Sequence, residues 1–183
     1  MAGFSSLDLC GPDPNPMTME EVRVLKMLTR GLCNHPTIVN IGAERGTSTL
    51  AMLEECPNAT IYSVDIGECE AEFIHLRKAG LDETHVIRVL GESQKIDPTP
   101  YAPIDMIFID GDHRYEPVKQ DIAVWTPFVR KGGIVAFHDY IPEPIPPHIR
   151  GRVVHAVDEW INANRDKFLF IVREQRLIAY QVM

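Results

Sequence analysis

The sequence predicts a three-layer α/β domain, and three observations support this fold class. Short apolar runs rich in β-branched residues alternate with helical segments from residue 37 onward, as the βα units of a parallel sheet do. Several of these runs end in glycine or acidic residues, and ligands bind at the carboxyl ends of strands in such sheets. The last two runs, 168–172 and 176–182, are close enough in sequence to form an antiparallel hairpin at a sheet edge.

The composition is typical of one globular domain. Of the 183 residues, 45% are hydrophobic and 24% are charged, so we expect a single domain over 1–183 with an irregular arm at 1–17. The net charge of −8 and the lack of a basic run argue against a nucleic-acid partner. No apolar run reaches the ~18–20 residues of a membrane span. The four cysteines show no C-x-x-C spacing, which favours reduced thiols in a cytoplasmic protein.

The first half of the chain predicts one helix followed by three strands with helices between them. Thr18 can cap the first helix, and Gly31 with Pro36 ends it. Gly80 is a C-terminal stop for the helix that precedes the third strand. The predicted strands are 37–41, 60–64 and 85–90, and the predicted helices between them are 47–53 and 68–79.

The second half predicts two more parallel strands, a helix and the closing hairpin. The strand over 104–109 is followed by a helix from about 115 to 129, with Val118, Ile122, Trp125 and Val129 on one face. Gly132 and Gly133 are expected to turn the chain into a strand over 134–137, and a helix is expected over 153–162. The proline-rich stretch 141–148 between them is either a lid over the strand ends or a stiff surface connector.

Potential ligands follow two neighbouring strands of this plan. Asp110, Asp112 and His113 come after the strand over 104–109, and His138 and Asp139 follow the next strand. A strand–helix–strand crossover of ~30 residues returns to the same edge of the sheet. We therefore expect these two groups to share one site.

Three other strand ends indicate a ligand that contains adenosine. Gly42 and Gly46 let the backbone pass close to a ligand in front of a helix N-terminus. Asp65 ends the second strand at a spacing that suits a carboxylate accepting the hydroxyls of a ribose. Ser93 and Gln94 follow the third strand, where they can border the base. Each feature alone also fits tight packing or helix capping, but together they favour a nucleoside site.

These motifs resemble those of the class I S-adenosylmethionine-dependent methyltransferases. The resemblance covers I-V-N-I-G-A-E-R-G-T-S-T, I-Y-S-V-D, G-E-S-Q, I-D-G-D-H-x-Y-E and G-G-x-x-x-x-H-D-Y, from about Thr37 to Tyr140. Within that class the chain is most similar to the metal-dependent small-molecule O-methyltransferases, of the macrocin and catechol types. The resemblance implies a Rossmann-like, seven-stranded, mostly parallel sheet of order 3-2-1-4-5-7-6 whose seventh strand is antiparallel.

The resemblance also implies roles for individual residues. Gly42 and Gly46 match the motif along the methionine part of S-adenosylmethionine, Asp65 matches the ribose-binding acid, and Ser93 with Gln94 matches the adenine-side motif. Asn40 stands where many members carry an acid, and it is included with Asp110 among the candidate cofactor-binding residues. Asp110 also matches the first metal carboxylate, and His138 with Asp139 takes the place of an Asp-Asp or Asp-Asn pair as the other candidate metal ligands.

The chemistry of the acidic cluster has two catalytic interpretations. A divalent metal, Mg²⁺ or Mn²⁺, held by Asp110, His138 and Asp139 would lower the pKa of an acceptor hydroxyl. Alternatively, His113 would act as a general base without metal, so that Asp110, His113 and His138 are the candidate catalytic residues. In a purely structural interpretation, Asp110 and Asp112 cap the following helix.

We therefore expect an S-adenosylmethionine-dependent O-methyltransferase that acts on a small hydroxylated acceptor, such as a sugar or a polyphenol-like metabolite. The alternatives are a non-catalytic cofactor-binding scaffold with the same fold and a nicotinamide-dependent oxidoreductase. The G-x-x-x-G spacing at Gly42 weighs against the oxidoreductase, which would carry G-x-G-x-x-G. The chain has few N-terminal helices, so we expect either a large, partly exposed acceptor or a homo-oligomer in which a second subunit helps to enclose it.

Overall fold

A seven-stranded sheet forms the centre of the computed structural model, which describes residues 3–11, 17–141 and 153–183. Its strand order is β3-β2-β1-β4-β5-β7-β6, as the resemblance implies. All neighbouring strands are parallel except the pairs that contain β7, which is antiparallel to both β5 and β6. The strands are β1 (Thr37–Ile41), β2 (Thr60–Asp65), β3 (Val86–Leu90), β4 (Ile104–Ile109), β5 (Val129–Phe137), β6 (Phe168–Glu174) and β7 (Leu177–Val182).

Helices cover both faces of the sheet, which gives the three predicted layers. One face packs against α1, α2 and α3 through a core that includes Leu25, Leu50 and Leu76. The other face packs against α4 and α5 through Val118, Trp125 and their neighbours. The helices are α1 (Met19–Arg30), α2 (Thr47–Glu55), α3 (Glu70–Ala79), α4 (Tyr115–Trp125) and α5 (Val153–Ala163).

The predicted boundary between α4 and β5 is wrong. The helix ends at Trp125, and a 3-10 turn over Thr126–Phe128 leads directly into β5, so that Val129 belongs to the strand. The apolar spacing continued past the helix, but Pro127 has no N–H with which to extend it. Gly132 and Gly133 lie within β5 rather than in a turn before it.

Close contact with the neighbouring strand explains the glycine at position 133. A Cβ atom on Gly133 would lie 2.9 Å from the backbone oxygen of Asp105 and 2.7 Å from Cγ1 of Val129. The pairing of β4 with β5 shifts register at this level, between Ile104 and Met106. Glycine in a strand interior often marks such an irregularity.

The segments outside the sheet were less well determined by pattern. The N-terminal arm contains a 3-10 turn over Ser6–Leu9, where the Ser6 backbone N–H donates to Glu54 Oε1 at 2.8 Å.

The four cysteines are free thiols. Within the described residues, no helix is long and apolar enough to cross a membrane. The predicted lid at 141–148 lies, apart from Ile141, outside the described residues.

Candidate active site

Backbone hydrogen bonds align the carboxyl ends of the parallel strands. The N–H of Gly42 donates to Val64 O at 2.9 Å, and that of Asp110 donates to Ile41 O at 2.9 Å. His138 is tied in the same way to Ile109 O at 3.1 Å. The ladder thus continues one residue beyond each strand, and it brings the predicted cofactor residues and the predicted acidic residues to one edge of the sheet.

Gly42 allows a very close approach between the first strand-to-helix loop and the loop after β4. Its φ of +82° lies in the left-handed region, and a Cβ atom here would lie 2.2 Å from the backbone oxygen of Asp110. Gly46 has a φ of +83°, and a Cβ atom there would lie 2.8 Å from Glu72 Cα. Glycine is needed at both positions because side chains are excluded and the backbone is left-handed.

The carboxylate of Asp65 holds the loop after β1. Its Oδ2 accepts a hydrogen bond from the Glu44 backbone N–H at 3.1 Å, and its Oδ1 accepts one from the Gly67 backbone N–H at 2.9 Å. Glu44 has a φ of +45°, an uncommon conformation that this hydrogen bond helps to fix. Asp65 remains partly exposed at the end of β2, so its carboxylate is accessible to a ligand.

Asn40 lies in a buried polar network beneath the loop. It has no exposed surface, and its Nδ2 donates to Ser48 Oγ at 3.0 Å and to Thr49 Oγ1 at 2.9 Å. Thr49 in turn donates to the buried carboxylate of Glu72, which also accepts from Ser63 Oγ at 2.9 Å. Burial raises the pKa of Glu72 despite these hydrogen bonds. Asn40 therefore supports the N-terminal turn of α2 from below.

Ser93 and Gln94 begin a 3-10 turn over Ser93–Lys95 at the end of β3. The Gln94 Nε2 donates to Ser93 Oγ at 3.0 Å, and the indole Nε1 of Trp125 donates to Ser93 O at 3.0 Å. This turn therefore packs on α4, and Ser93 is nearly buried. The predicted adenine-side residues thus lie at the strand end next to that of Asp65.

Asp110, His113 and Asp139 form the acidic centre of the site. The Nδ1 of His113 lies 3.0 Å from Asp139 Oδ2, and its Nε2 lies 3.5 Å from Asp110 Oδ1. The side chains of Asp110 and Asp139 are 18% and 15% exposed, and that of His113 is 33% exposed. One ligand atom from each residue lies within 4.8 Å of the others, so the three can hold a metal ion.

Ionisation in this cluster follows from its geometry. Burial acts to raise the pKa of Asp110, but the charge of His138 and hydrogen bonds with both imidazoles outweigh it, and the pKa is lowered. The hydrogen bond with Asp110 raises the pKa of His113, against burial, and the charges of Asp139 and Asp110 add to the rise. Without a metal, His113 therefore holds its proton more tightly than a free histidine does.

His138 lies between two carboxylates rather than at the open face of the cluster. Its Nδ1 is 3.2 Å from Asp110 Oδ1, and its Nε2 is 3.2 Å from Glu21 Oε2. Burial would lower the pKa of His138, but Asp110, Glu21 and Asp139 outweigh it and raise the pKa to about 10. Both nitrogens of this imidazolium are engaged and its side chain is 1% exposed, so His113 takes the place in the possible ligand set that the sequence gave to His138.

Sequence patterns pointed to neither Glu21 nor Arg176 as part of the site. Glu21 is fully buried, and burial alone would raise its pKa, but hydrogen bonds from His138, Thr18 and Arg176 lower it to about 2. Arg176 donates from Nη1 to Asp139 Oδ1 at 3.0 Å and from its backbone N–H to Glu21 Oε1 at 2.9 Å. The one signal for Glu21, its place in the Thr18 capping box, indicates only a helix start.

Asp112 turns away from the acidic centre. Its Oδ1 accepts from the Arg114 backbone N–H at 2.9 Å, and its carboxylate pairs with the exposed Arg114 guanidinium. These contacts shape the loop that leads into α4, so Asp112 is a local turn residue. The structural interpretation expected it to cap α4, but the N-cap of that helix is Arg114 and no side chain caps it. Asp110 does not cap the helix either, because its carboxylate faces the two histidines.

This arrangement of sheet, loops and acidic residues matches a known family. A model described as "Methyltransferase domain" matches residues 39–140, which include the glycine loop and the acidic centre. The chain belongs to this methyltransferase family. Its fold is that of the class I S-adenosylmethionine-dependent methyltransferases.

One match to a curated protein is local. An uncharacterised protein of Acanthamoeba polyphaga mimivirus is 51% identical over 37 residues, which are 20% of this chain and 17% of that protein. The chain therefore spans well under two thirds of that relative's length in the match. This short match gives no information about activity.

Solved structures share the fold at low sequence identity. The methyltransferase MycE of the mycinamycin pathway, solved with Mg, S-adenosylhomocysteine and mycinamycin VI, is 18% identical with a TM-score of 0.63, and the match covers 87% of this chain and 47% of MycE. The O-methyltransferase TomG of Streptomyces achromogenes, in complex with S-adenosylmethionine, is 18% identical with a TM-score of 0.69 over 94% and 83%. A Clostridium thermocellum protein provisionally described as an rRNA methylase is 15% identical with a TM-score of 0.69 over 91% and 100%.

Proposed function

We propose that this protein is a methyltransferase that uses S-adenosylmethionine to methylate a hydroxyl group with the help of a divalent metal. One observation carries the proposal: the backbone of Asp110 fits against Gly42 of the cofactor loop, while the carboxylate of Asp110 belongs to the acidic centre. A methyl donor along the glycine loop would therefore lie beside the groups that orient an acceptor. Methyl transfer depends largely on such positioning, because donor and nucleophile must meet in line at ~3 Å.

Asp110, His113 and Asp139 are the residues that would hold the metal. Two carboxylates and one imidazole are a donor set that suits Mn²⁺, Fe²⁺ or Zn²⁺ better than Mg²⁺, which prefers oxygen ligands only. The three side chains are partly exposed, so positions remain for oxygens of the acceptor. A bound divalent ion supplies a positive charge that lowers the pKa of an acceptor hydroxyl.

Neighbouring side chains keep the two carboxylates of this ligand set ionised and in position. The imidazolium of His138 donates to Asp110 Oδ1 and keeps that carboxylate ionised. The guanidinium of Arg176 donates to Oδ1 of Asp139, while Oδ2 of the same carboxylate faces His113. His113 lies between the two carboxylates and would exchange its proton for the metal, since a ligating imidazole must be neutral. In the absence of metal, the same proton stabilises the two carboxylates.

Metal binding is tested by titrating the purified protein with Mn²⁺ and following the loss of the free-ion signal by electron paramagnetic resonance. We expect one site per chain in the native protein. Asp139→Asn should weaken that site by about 10-fold or more, because one charged ligand is lost. The matched control is Asp112→Asn, which removes an acid two residues from Asp110 that pairs with Arg114 instead and should leave the affinity unchanged. Equal affinity in all three proteins would contradict the proposed ligand set.

Catalysis is tested by following conversion of S-adenosylmethionine to S-adenosylhomocysteine with a panel of hydroxylated acceptors, with Mn²⁺, with Mg²⁺ and with chelator. We expect turnover that chelator abolishes, and a loss of about 1000-fold or more in Asp110→Asn with binding of S-adenosylhomocysteine retained. Turnover that survives chelator but not His113→Asn would favour the metal-free base instead. Binding of the product without turnover on any acceptor would favour the non-catalytic scaffold.

The acceptor that we propose is a small hydroxylated metabolite. The net charge of −8 supports it over RNA, since an RNA substrate is normally bound through basic surface. The acidic centre also fits a neutral or cationic acceptor better than a polyphosphate. Methylation of RNA but of no small molecule in the same assay would overturn this assignment of the acceptor while leaving the methyl donor in place.

A further inference from the structure

A buried carboxylate behind the adenine-side turn has no role in the chemistry described above. Asp121 on α4 has no exposed surface, and neither of its carboxylate oxygens has a hydrogen-bond partner among the described residues. Carboxylates are almost never fully buried unless they are paired, and an unpaired one costs free energy. Such a group therefore calls for an explanation in function or positioning.

Asp121 lies next to the turn that is expected to border adenine. Ser93 and Gln94 are the polar side chains that act to lower its pKa, against burial, which raises it to about 6. In the positions that Ser93 and Gln94 occupy, however, neither side chain donates a hydrogen bond to the Asp121 carboxylate. One turn of helix further along α4, Trp125 already donates to the backbone oxygen of Ser93 at 3.0 Å. Helix α4 thus holds the turn over Ser93–Lys95 through Trp125 and places Asp121 beside it.

The hydroxyl of Ser93 is the group that complements Asp121. It accepts a hydrogen bond from Gln94 Nε2 at 3.0 Å, and within the described residues it donates none. A hydroxyl has one donor and two acceptor lone pairs. Asp121 is a carboxylate with no donor to accept from, and Ser93 has a proton with no acceptor. Because Ser93 lies near enough to lower the pKa of Asp121, a modest change in side-chain torsion would let its hydroxyl donate to the carboxylate.

We propose that Asp121 is a positioning residue for the cofactor's base: it accepts a hydrogen bond from the Ser93 hydroxyl, so that the Ser93 oxygen faces the ligand only as an acceptor. This proposal rests on the proposed function. A Ser93 oxygen fixed as an acceptor matches the 6-amino group of adenine, which donates. The same Ser93 oxygen does not match a 6-oxo purine, because the carbonyl oxygen at position 6 is also an acceptor. Asp121 therefore sets selectivity for adenine without touching it.

Binding of two ligands tests this directly. Calorimetry compares S-adenosylhomocysteine with S-inosylhomocysteine, in which a carbonyl replaces the 6-amino group and the rest of the molecule is the same. We expect the native protein to prefer the adenine compound by about 100-fold, since a site built for a donor rejects an analogue that lacks it. In Asp121→Asn the new amide can donate to Ser93 and free its proton for the ligand, so the preference should fall by about 10-fold.

Two further variants separate selectivity from general support of the turn. Ser93→Ala should lower the preference as Asp121→Asn does, and the double variant should lower it no further, because both changes remove the same interaction. Trp125→Phe removes the other contact of α4 with Ser93 and should weaken both ligands by the same factor. Thermal unfolding of each variant establishes that it is folded.

The outcomes are distinct. If the native protein binds the adenine compound but Asp121→Asn leaves the preference unchanged, Asp121 has only a structural role and the inference is wrong. The same holds if Asp121→Asn weakens both ligands equally, as Trp125→Phe should. If the native protein binds neither compound, the proposed function itself fails, and the inference fails with it.

Discussion

The two ends of the candidate site are held in place in different ways. At the cofactor end, the glycine loop is fixed by backbone conformation and by hydrogen bonds to the neighbouring strand end, such as that from the Glu44 backbone N–H to Asp65. At the acidic end, His138 and Arg176 join carboxylates that come from α1, from the loop after β4 and from the end of β5. Loss of one side chain should therefore disturb only neighbouring residues at the cofactor end, whereas at the acidic end it should disturb several elements of the fold.

The largest effect is expected from breaking the ion network at the acidic end. His138→Asn removes the imidazolium between Glu21 and Asp110 and leaves two buried carboxylates facing each other. We predict a loss of about 3 to 5 kcal/mol in the free energy of unfolding, measured by urea denaturation at pH 6. The control is His155→Asn on the exposed side of α5, which should change stability by less than about 0.5 kcal/mol.

The sign of the pH dependence follows from the pKa of His138. Because the folded protein raises this pKa from 6.5 to about 10, the stabilisation is fully present below pH 6.5 and is lost as the pH rises toward 10. The difference between the native protein and His138→Asn should therefore shrink across that window. Equal stability of the two proteins at pH 6 would show that the network does not hold the acidic end.

The next effect concerns the contact that joins the two ends. Gly42→Ala places a methyl group 2.2 Å from the backbone oxygen of Asp110 at a φ of +82°. We predict a loss of about 3 kcal/mol or more in the free energy of unfolding, together with loss of cofactor binding. Gly80→Ala is the matched control, because Gly80 has a similar φ of +70° but nothing within 4 Å of the added Cβ atom.

The control should cost only about 1 kcal/mol, which is the conformational penalty alone. The difference between the two variants, measured by urea denaturation, then reports the steric contact with Asp110. If both alanine variants lose the same amount, the approach of the two loops is not tight, and the two ends of the site are not coupled through Gly42.

The smallest effect is a gain in stability at the cofactor end. Burial raises the pKa of Asp121 from 3.8 to about 6, against the opposing effect of the nearby Ser93 and Gln94 side chains, and the charge of Asp112 adds to the rise. Because the folded protein binds this proton more tightly than the unfolded chain, ionised Asp121 destabilises the fold, and the cost appears as the pH rises from about 4 to about 6. We predict that Asp121→Asn is about 1 to 2 kcal/mol more stable than the native protein at pH 7.

Thermal unfolding at pH 4 and at pH 7 checks this prediction. The advantage of Asp121→Asn should be present at pH 7 and nearly absent at pH 4, where Asp121 is protonated in the native protein. An advantage of the same size at both pH values would mean that the ionisation of Asp121 does not cause it.

At the cofactor end, local sequence pattern was enough to place the predicted residues at the ends of strands. Gly42, Gly46 and Asp65 each follow a strand whose apolar run is clear, and the resemblance supplied the strand order that the structure confirms. The boundary near Val129 was wrong because helical apolar spacing continues into β5 and two glycines imitate a turn. Glycine has this double use in turns and in tightly packed strands, and sequence spacing alone does not distinguish them.

The acidic end required contacts that no local pattern contains. His138 meets Glu21 from 117 residues away, and Arg176 meets Glu21 from 155 residues away. The sequence predicted Asp110, His138 and Asp139 as the ligand set, whereas the structure groups His113 with the two carboxylates, since the order of residues after β5 does not show which of two imidazoles points inward. The network with α1 and the hairpin buries His138 and leaves His113 at the open face.

Binding of S-adenosylhomocysteine, measured by calorimetry on native protein and on Asp65→Ala, tests the central claim most directly. We predict micromolar binding by the native protein and a loss of about 100-fold or more in Asp65→Ala, because a carboxylate that accepts both ribose hydroxyls is removed. Asp82→Ala, which changes an exposed acid that accepts from the Thr84 backbone N–H before the start of β3, should bind as the native protein does. No binding by the native protein, with or without Mn²⁺, would contradict the claim that this is an S-adenosylmethionine-dependent methyltransferase.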